Sequence, residues 1–455
     1  MKVGAKTRFV LWMIGIGLLA AYPVFAEAEH QAGVAKVCIT PEGSIWMSGY
    51  AARDKPSDGK LHDLYAKALA LKDEEGNCIV LLTTDLIGLS KEISGRVAGR
   101  VKEKTGLDRS ALMLTSSHTH SGPVLRSNLE TMYDLPEEQW DRITAYTQKL
   151  EDQLVEVICD AVENLGPAEI YRGCGSAGFA VNRRQYTLGG VVIGVNPIGP
   201  VDHDVPVLKV ENGQGEIIAI VFGYACHNTT LSVYQINGDY AGFAQAYLEE
   251  SRPNAAAMFF IGCGADANPN PRREIEHAKA HGRELSAAVE KVLREPMEKV
   301  KGSIQCEFRT VDLPLTPAPT REQLEEQAQD QNVYIQRRAQ SLLDQFEKQG
   351  SLPESYPYVI QAWQIGDDFL WLGLAGEVVV DYALLFKHLY GRGNTWVTGY
   401  ANDVFAYVPS LRVLREGGYE SDTSMIYYGL YGPWRTDVEK VIVSTVQSMI
   451  EDMQS

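Results

Sequence analysis

Apolar positions along this chain fall into two patterns. Near-continuous apolar runs at residues 78–85, 111–114, 217–225 and Ala256–Ile261 predict strands covered on both faces. Residues 64–71, 169–180, 205–211, 358–365, 369–375 and 395–400 read as further strands, with shorter ones at 34–39 and 46–51. A three-to-four-residue repeat predicts helices at 90–105, ending at Gly106, and at 137–164, 240–250, 274–300, 320–349 and 438–453. In the second of these, Ile143, Tyr146, Leu150, Leu154, Ile158 and Ala161 make the buried stripe. Thr320 caps the fifth, with Glu322 in its first turn. Strands and helices alternate, so the fold class is α/β, with mixed β-sheets flanked by helices. No internal repeat or low-complexity tract breaks the pattern.

Unusual polar groups follow the apolar strands, where ligands gather in open α/β sheets. The first is Leu114 to Pro123, which contains His118, Thr119 and His120. In an extended backbone these two imidazoles share one face, as a metal pair or a ligand with a catalytic partner requires. The others are Cys226-His227-Asn228 with Gly238-Asp239 downstream, Asp266 to Asn270, Gly376-Glu377, and residues 399–407 leading to Gly418-Tyr419-Glu420. Two or three imidazoles with one carboxylate suit a catalytic zinc site that leaves one position for water. Each residue alone also reads as a satisfied strand-end group. His277 and His281 stand four apart on a predicted helix, but Ala278 occupies the Glu position of H-E-x-x-H, so a solvated face is the better reading. Asp202-His203-Asp204 reads as a loop cluster. Asp85, Asp239 and Asp266 are either structural or orient a ligand.

Composition narrows the partners. The net charge of -17, with no long basic run, excludes nucleic acid as an expected partner. Lys2, Lys6 and Arg8 precede an apolar run to Leu19, and Val24 and Ala26 fit a cleavage site, so residues 1–26 read as a secretory signal peptide. An uncleaved anchor is the alternative. Residues 27–455 then form a single domain in a secreted or periplasmic protein. No second stretch is long enough to span a bilayer. Seven scattered cysteines without a C-x-x-C read mostly as small buried residues, with room for one or two disulfides.

The string Ser117 to Pro123, the His227 segment with Gly238-Asp239, Gly376-Glu377, residues 399–408 and Gly418-Tyr419-Glu420 together resemble the neutral/alkaline non-lysosomal ceramidases. The likeness runs in order over residues 30–450. It implies a secreted or membrane-associated hydrolase that cleaves an amide with one zinc ion. By the same resemblance, His118, His227, Glu377 and Tyr407 are the zinc ligands. His120 faces the scissile carbonyl, Arg183 contacts substrate, Tyr419 and Tyr427 surround the oxyanion, and the resemblance favours a site role for Asp239 and Asp266. Two departures accompany it. Asn268 stands where the family motif Gly-Asp-x-Ser-Pro-Asn has its Ser, and an amide cannot be a nucleophile although it can donate to an oxyanion. The second is length, with no room expected for the family's C-terminal immunoglobulin-like domain. The expected function is a ceramidase-like zinc hydrolase of lipid metabolism, with zinc-bound water attacking the amide or ester carbonyl of a small molecule such as an N-acyl lipid. A non-catalytic zinc-containing binding protein on the same scaffold is the alternative that Asn268 permits.

Overall fold

Two β-sheets stack face to face, and helices cover both outer faces. This computed structural model describes residues 29–454 with positions 1 and 4. The leader expected at 1–26 otherwise lies outside the described residues. The larger sheet runs in the order Ala256–Ile261, Ile217–Tyr224, Asp204–Asn212, Gly166–Ser176, His30–Cys38, Tyr65–Asp73, Cys78–Thr84, Leu112–Ser116. The smaller runs Ile304–Pro314, Ser355–Ile365, Phe369–Leu374, Thr395–Thr398.

The apolar runs explain the layering. In Cys78–Thr84, Val80 and Leu82 face the helices Lys91–Thr105 and Glu137–Glu163, packing near Val97, Leu150 and Leu154. Ile79 and Leu81 face the other way, into a core shared with Trp363, Trp371 and Trp396 of the smaller sheet. A strand buried on both faces needs both sets apolar, which removes the usual alternation. The outer face of the smaller sheet packs Ile360, Leu372 and Leu374 against Tyr382, Phe386, Ile442 and Val446 of the helices Val380–Tyr390 and Val438–Gln454. Truncating an inter-sheet indole such as Trp371 to Ala costs about 3–5 kcal/mol.

Three parallel pairs position the chemistry. Cys78–Thr84 pairs with Leu112–Ser116, Ile217–Tyr224 with Ala256–Ile261, and Phe369–Leu374 with Thr395–Thr398. The larger sheet's edge strands, Leu112–Ser116 and Ala256–Ile261, come within 8 Å of each other, so that sheet curls. A bridge from Gly262 to Thr398 ties its end to the smaller sheet. Loops after all three pairs therefore meet in one place.

Several elements differ from the sequence pattern. Residues 46–51 form no strand beyond a bridge from Met47 to Pro123. Gly49 turns there with φ +92°, and a Cβ on it would lie 2.4 Å from the His120 Nδ1. The helix expected over 320–349 is two, Arg321–Gln327 and Val333–Gln349. The Asn332 side chain accepts from Tyr334 N and starts the second one afresh. The helix from 274 stops at Arg294 because Pro296 cannot continue it. A hairpin, Ala180–Thr187 with Gly190–Asn196, was not anticipated, nor were Ile304–Pro314 and Val380–Tyr390. All seven cysteines are free. Among the described residues no helix is long and apolar enough to cross a membrane.

Candidate metal centre

His118 and His227, both buried, and half-buried His120 come together, with ligand nitrogens all within 4.8 Å of one another. The strand carrying the first two ends at Ser116. His118 then adopts a left-handed backbone, φ +59°, which is rare for a residue with a β-carbon. The two imidazoles thus meet through a turn rather than through strand alternation. Their Nε2 atoms stand 3.1 Å apart. Thr119 bridges Asn228, which registers this turn against the loop bearing His227.

Backbone carbonyls fix two of the three rings. Nδ1–H of His118 donates to Ile87 O at 2.6 Å, and Nδ1–H of His227 to Gly264 O at 2.9 Å. A carbonyl only accepts, so each Nε2 keeps its lone pair for the pocket. His120 differs, because its Nδ1 is buried without a partner. Glu377 enters from the end of Phe369–Leu374, and its Oε2 lies 3.3 Å from His118 Nε2 and 3.0 Å from His227 Nε2. Two lone-pair nitrogens and a carboxylate oxygen within this distance repel unless a proton or a cation lies among them. Tyr407 OH stands 3.2 Å from His227 Nε2. The donor set of imidazole nitrogen, carboxylate and phenol oxygen suits a borderline divalent ion.

Electrostatics follow from burial. Burial, with His118 and His227 alongside, holds His120 well below its ordinary pKa. Burial and the Arg183 guanidinium lower His227 to about 4. Burial opposes ionisation of Glu377, but His118 and His227 more than reverse it and hold the carboxyl well below its usual range. Burial raises the Tyr407 phenol well above its ordinary value, with Arg183 pulling the other way.

Around this centre lie the other expected residues. Arg183 donates to Tyr407 OH at 3.0 Å, to Glu420 at 2.7 Å and to Asn268 Oδ1 at 3.4 Å. Asn268 Oδ1 also accepts from Thr229 at 3.2 Å, which leaves its Nδ2 to donate elsewhere. The Tyr419 ring packs at 5.3 Å from that of Tyr407. Tyr427 lies one ring further out, 6.4 Å from Tyr419, against Tyr334. Its neighbour Tyr428 is the one that donates to Glu377 Oε1. Tyr400 lies over His118 with ring centres 4.4 Å apart. Tyr50 flanks His120 at 4.9 Å. Sequence reasoning missed Tyr428, Tyr400 and Tyr50. Tyr400 and Tyr428 sit inside or beside segments already singled out, whereas nothing near Tyr50 marks it except Gly49.

The remaining candidates are held by local hydrogen bonds and ion pairs. Asp85 accepts from Tyr65 N and Gln245. Asp239 accepts from Leu231 N and Tyr240 N. His281 is buried rather than on a solvated face, bonding Pro271 O and stacking on Phe179. Asp202 and Asp204 both pair with Lys387.

Fold and site together define an α/β protein whose parallel strand ends gather imidazoles, a carboxylate and phenols into a cluster competent to hold a metal ion. Residues 30–270 match the family model of the neutral/alkaline non-lysosomal ceramidase N-terminal region. The chain belongs to that family. The neutral ceramidase of Pseudomonas aeruginosa is 25% identical over 344 residues, covering 69% of this chain and 50% of the relative. Neutral ceramidase A of Dictyostelium discoideum is 25% identical over 299 residues, 58% of this chain and 40% of the relative. The chain thus spans about half the length, or less, of these curated relatives. A solved structure described as ceramidase complexed with C2 superposes with TM-score 0.72 at 20% identity, over 93% of this chain and 76% of that one. The crystal structure of the Pseudomonas aeruginosa neutral ceramidase gives 0.69 at 20% identity, over 92% and 74%. These likenesses concern the fold.

Proposed function

We propose that the chain is an exported zinc-dependent amidohydrolase acting on an N-acyl lipid of the ceramide class. His118, His227, Glu377 and Tyr407 are its zinc ligands in this reading. One observation carries it: His118 and His227, but not His120, have Nδ1 tied to a backbone carbonyl. That contrast separates two imidazoles prepared as ligands from one left free to carry protons. The whole of residues 27–455 acts as one catalytic unit, since the site draws on residues from both sides of position 270.

Zinc, when bound, supplies Lewis acidity to water and to the carbonyl oxygen. The protein supplies the rest. Tyr419, its phenol raised above the ordinary value by burial, stays protonated and donates to the developing oxyanion. Asn268 Nδ2 adds a second donor where a nucleophile is not needed. His120, neutral by burial, takes up a proton and returns it to the leaving amine. Arg183 fixes Tyr407 and Asn268 together and orients the substrate.

Asn268 also favours a second reading, a zinc-containing binding protein without turnover. Metal analysis of the purified chain, with a hydrolysis screen over ceramides, N-acyl amino acids and esters, decides between them. The hydrolase reading expects one zinc per chain and turnover of an N-acyl lipid that His118→Ala abolishes. Stoichiometric zinc without turnover of any amide or ester selects the binding protein. Zinc retained after both His118→Ala and His227→Ala overturns the ligand set.

A further inference from the structure

Among the described residues, nine large hydrophobic side chains are exposed, and six of them lie between 186 and 198. They are Tyr186, Leu188, Val192, Ile193, Val195 and Ile198, each at least 47% exposed. All belong to the hairpin Ala180–Thr187 with Gly190–Asn196, or to the turn that follows it. Residues 185–201 contain no charged side chain, in a chain that is 22% charged overall. Edge strands exposed to water normally carry charge against unwanted pairing, and Gly190–Asn196 is an edge without any.

We propose that this hairpin docks the protein onto a zwitterionic lipid surface. Adjacent strand residues point to opposite faces, yet Val192 and Ile193 are both exposed. The ribbon is therefore apolar on both sides, with Leu188 fully exposed at its tip. A second protein seated on a two-stranded ribbon covers one face. A lipid interface surrounds the tip and covers both. Tyr186, its hydroxyl donating to Glu416 at 2.7 Å, sits where the ribbon leaves the body, as interfacial tyrosines do. The net charge of -17 disfavours anionic lipid, so attachment is apolar rather than electrostatic.

The hairpin is also continuous with the candidate metal centre. The strand Ala180–Thr187 carries Arg183, and Val191 rests against Gly418, next to Tyr419. A lipid surface bound here adjoins the pocket. Docking of this kind is read by partition and does not depend on hydrolysis.

Flotation of the full chain with phosphatidylcholine vesicles tests it. Wild type is expected to float with the vesicles, and the fourfold variant L188S/I193S/V195S/I198S to lose at least about tenfold in partition. Vesicles containing phosphatidylglycerol are expected to bind no better. His118→Ala with His227→Ala is expected to float like wild type, which separates docking from the metal site. Leu188→Trp is expected to show extra emission that brominated-chain vesicles quench. Wild type that stays in the aqueous fraction overturns the proposal. So does a fourfold variant that floats equally, or extra emission from Leu188→Trp that stays unquenched. A wild-type dimer that the fourfold variant converts to monomer assigns the hairpin to a second copy instead.

Discussion

The imidazoles come from one half of the chain and the oxygen donors from the other, and the halves hold them differently. Before position 270, His118 and His227 are anchored to backbone carbonyls of the loops after the neighbouring parallel strands, Ile87 and Gly264, and one of the two is a left-handed residue. After it, Glu377 is held mainly by side chains, with Tyr428 on Oε1 and Tyr400 3.5 Å from Oε2. Backbone anchoring fixes a ring once the strand ends are formed. Side-chain anchoring can be loosened one bond at a time. On the proposed ligand set, the first half sets where a cation sits, and the second tunes how tightly.

Loss of an imidazole is the largest break in this division. His227→Ala is expected to remove stoichiometric zinc and to lower turnover by more than the ~10²–10³ typical of one lost oxyanion donor. Glu377→Gln keeps an acceptor for Tyr428 and is expected to retain zinc at reduced affinity. Metal titration of the two variants compares them directly. Equal loss in both would erase the distinction between the halves.

Arg183 spans the division, and its removal comes next. It joins Asn268 in one half to Tyr407 and Glu420 in the other. Arg183→Ala leaves Glu420 with Arg184 alone, at 2.6 Å, in a fully buried setting. Breaking such a buried pair costs about 3–5 kcal/mol. Urea denaturation measures it, and a change within about 0.5 kcal/mol, as at ordinary surface sites, counts against a spanning role.

How much of this was legible in the sequence follows the same line. Buried strands such as Ala256–Ile261 read directly, because burial on both faces leaves an apolar run. The family motifs pointed to His118, His227, Glu377 and Tyr407, and these four side chains lie together around one pocket. What sequence could not carry was the geometry between loops. Strand alternation gave a reason for His118 and His120 to meet, but the left-handed turn at His118 is what brings them together. The hairpin after Ala180 was hidden because its apolar residues are exposed on both faces, which matches neither the alternation of a half-buried strand nor a polar surface loop. Tyr428 was missed because no local pattern distinguishes two consecutive tyrosines.

Asp266 gives the pH-dependent test of the join. It is fully buried, accepting from Val380 N at 2.9 Å in one half and Asn182 at 3.1 Å in the other. Burial and the Asp381 carboxylate raise it to about 6, against the pull of Arg412 at 3.7 Å. A carboxyl with a raised folded pKa stabilises below its unfolded value near 4 and loses that contribution as pH rises through about 6. The loss is on the order of 3 kcal/mol. Wild type is therefore expected to lose stability relative to Asp266→Asn between pH 4 and 6.5. Parallel denaturation curves over that range would mean the carboxylate is charged throughout.

The smallest effects separate two neighbours. Tyr428 donates directly to Glu377, so Tyr428→Phe strips the proposed ligand of its orienting bond, and such losses cost about 10–100-fold in metal affinity. Tyr427 reaches only Tyr419 and Tyr334 by ring contact. Tyr427→Phe keeps both rings and is expected to leave zinc affinity unchanged, with turnover lowered by no more than about threefold, under 1 kcal/mol. The pair differs by one position and one hydroxyl, so folding defects cancel in the comparison. A larger fall in turnover for Tyr427→Phe than for Tyr428→Phe would move the oxyanion contact outward, to the ring that the family motif suggested. It would also mean that substrate, rather than Glu377, organises the second half of the site.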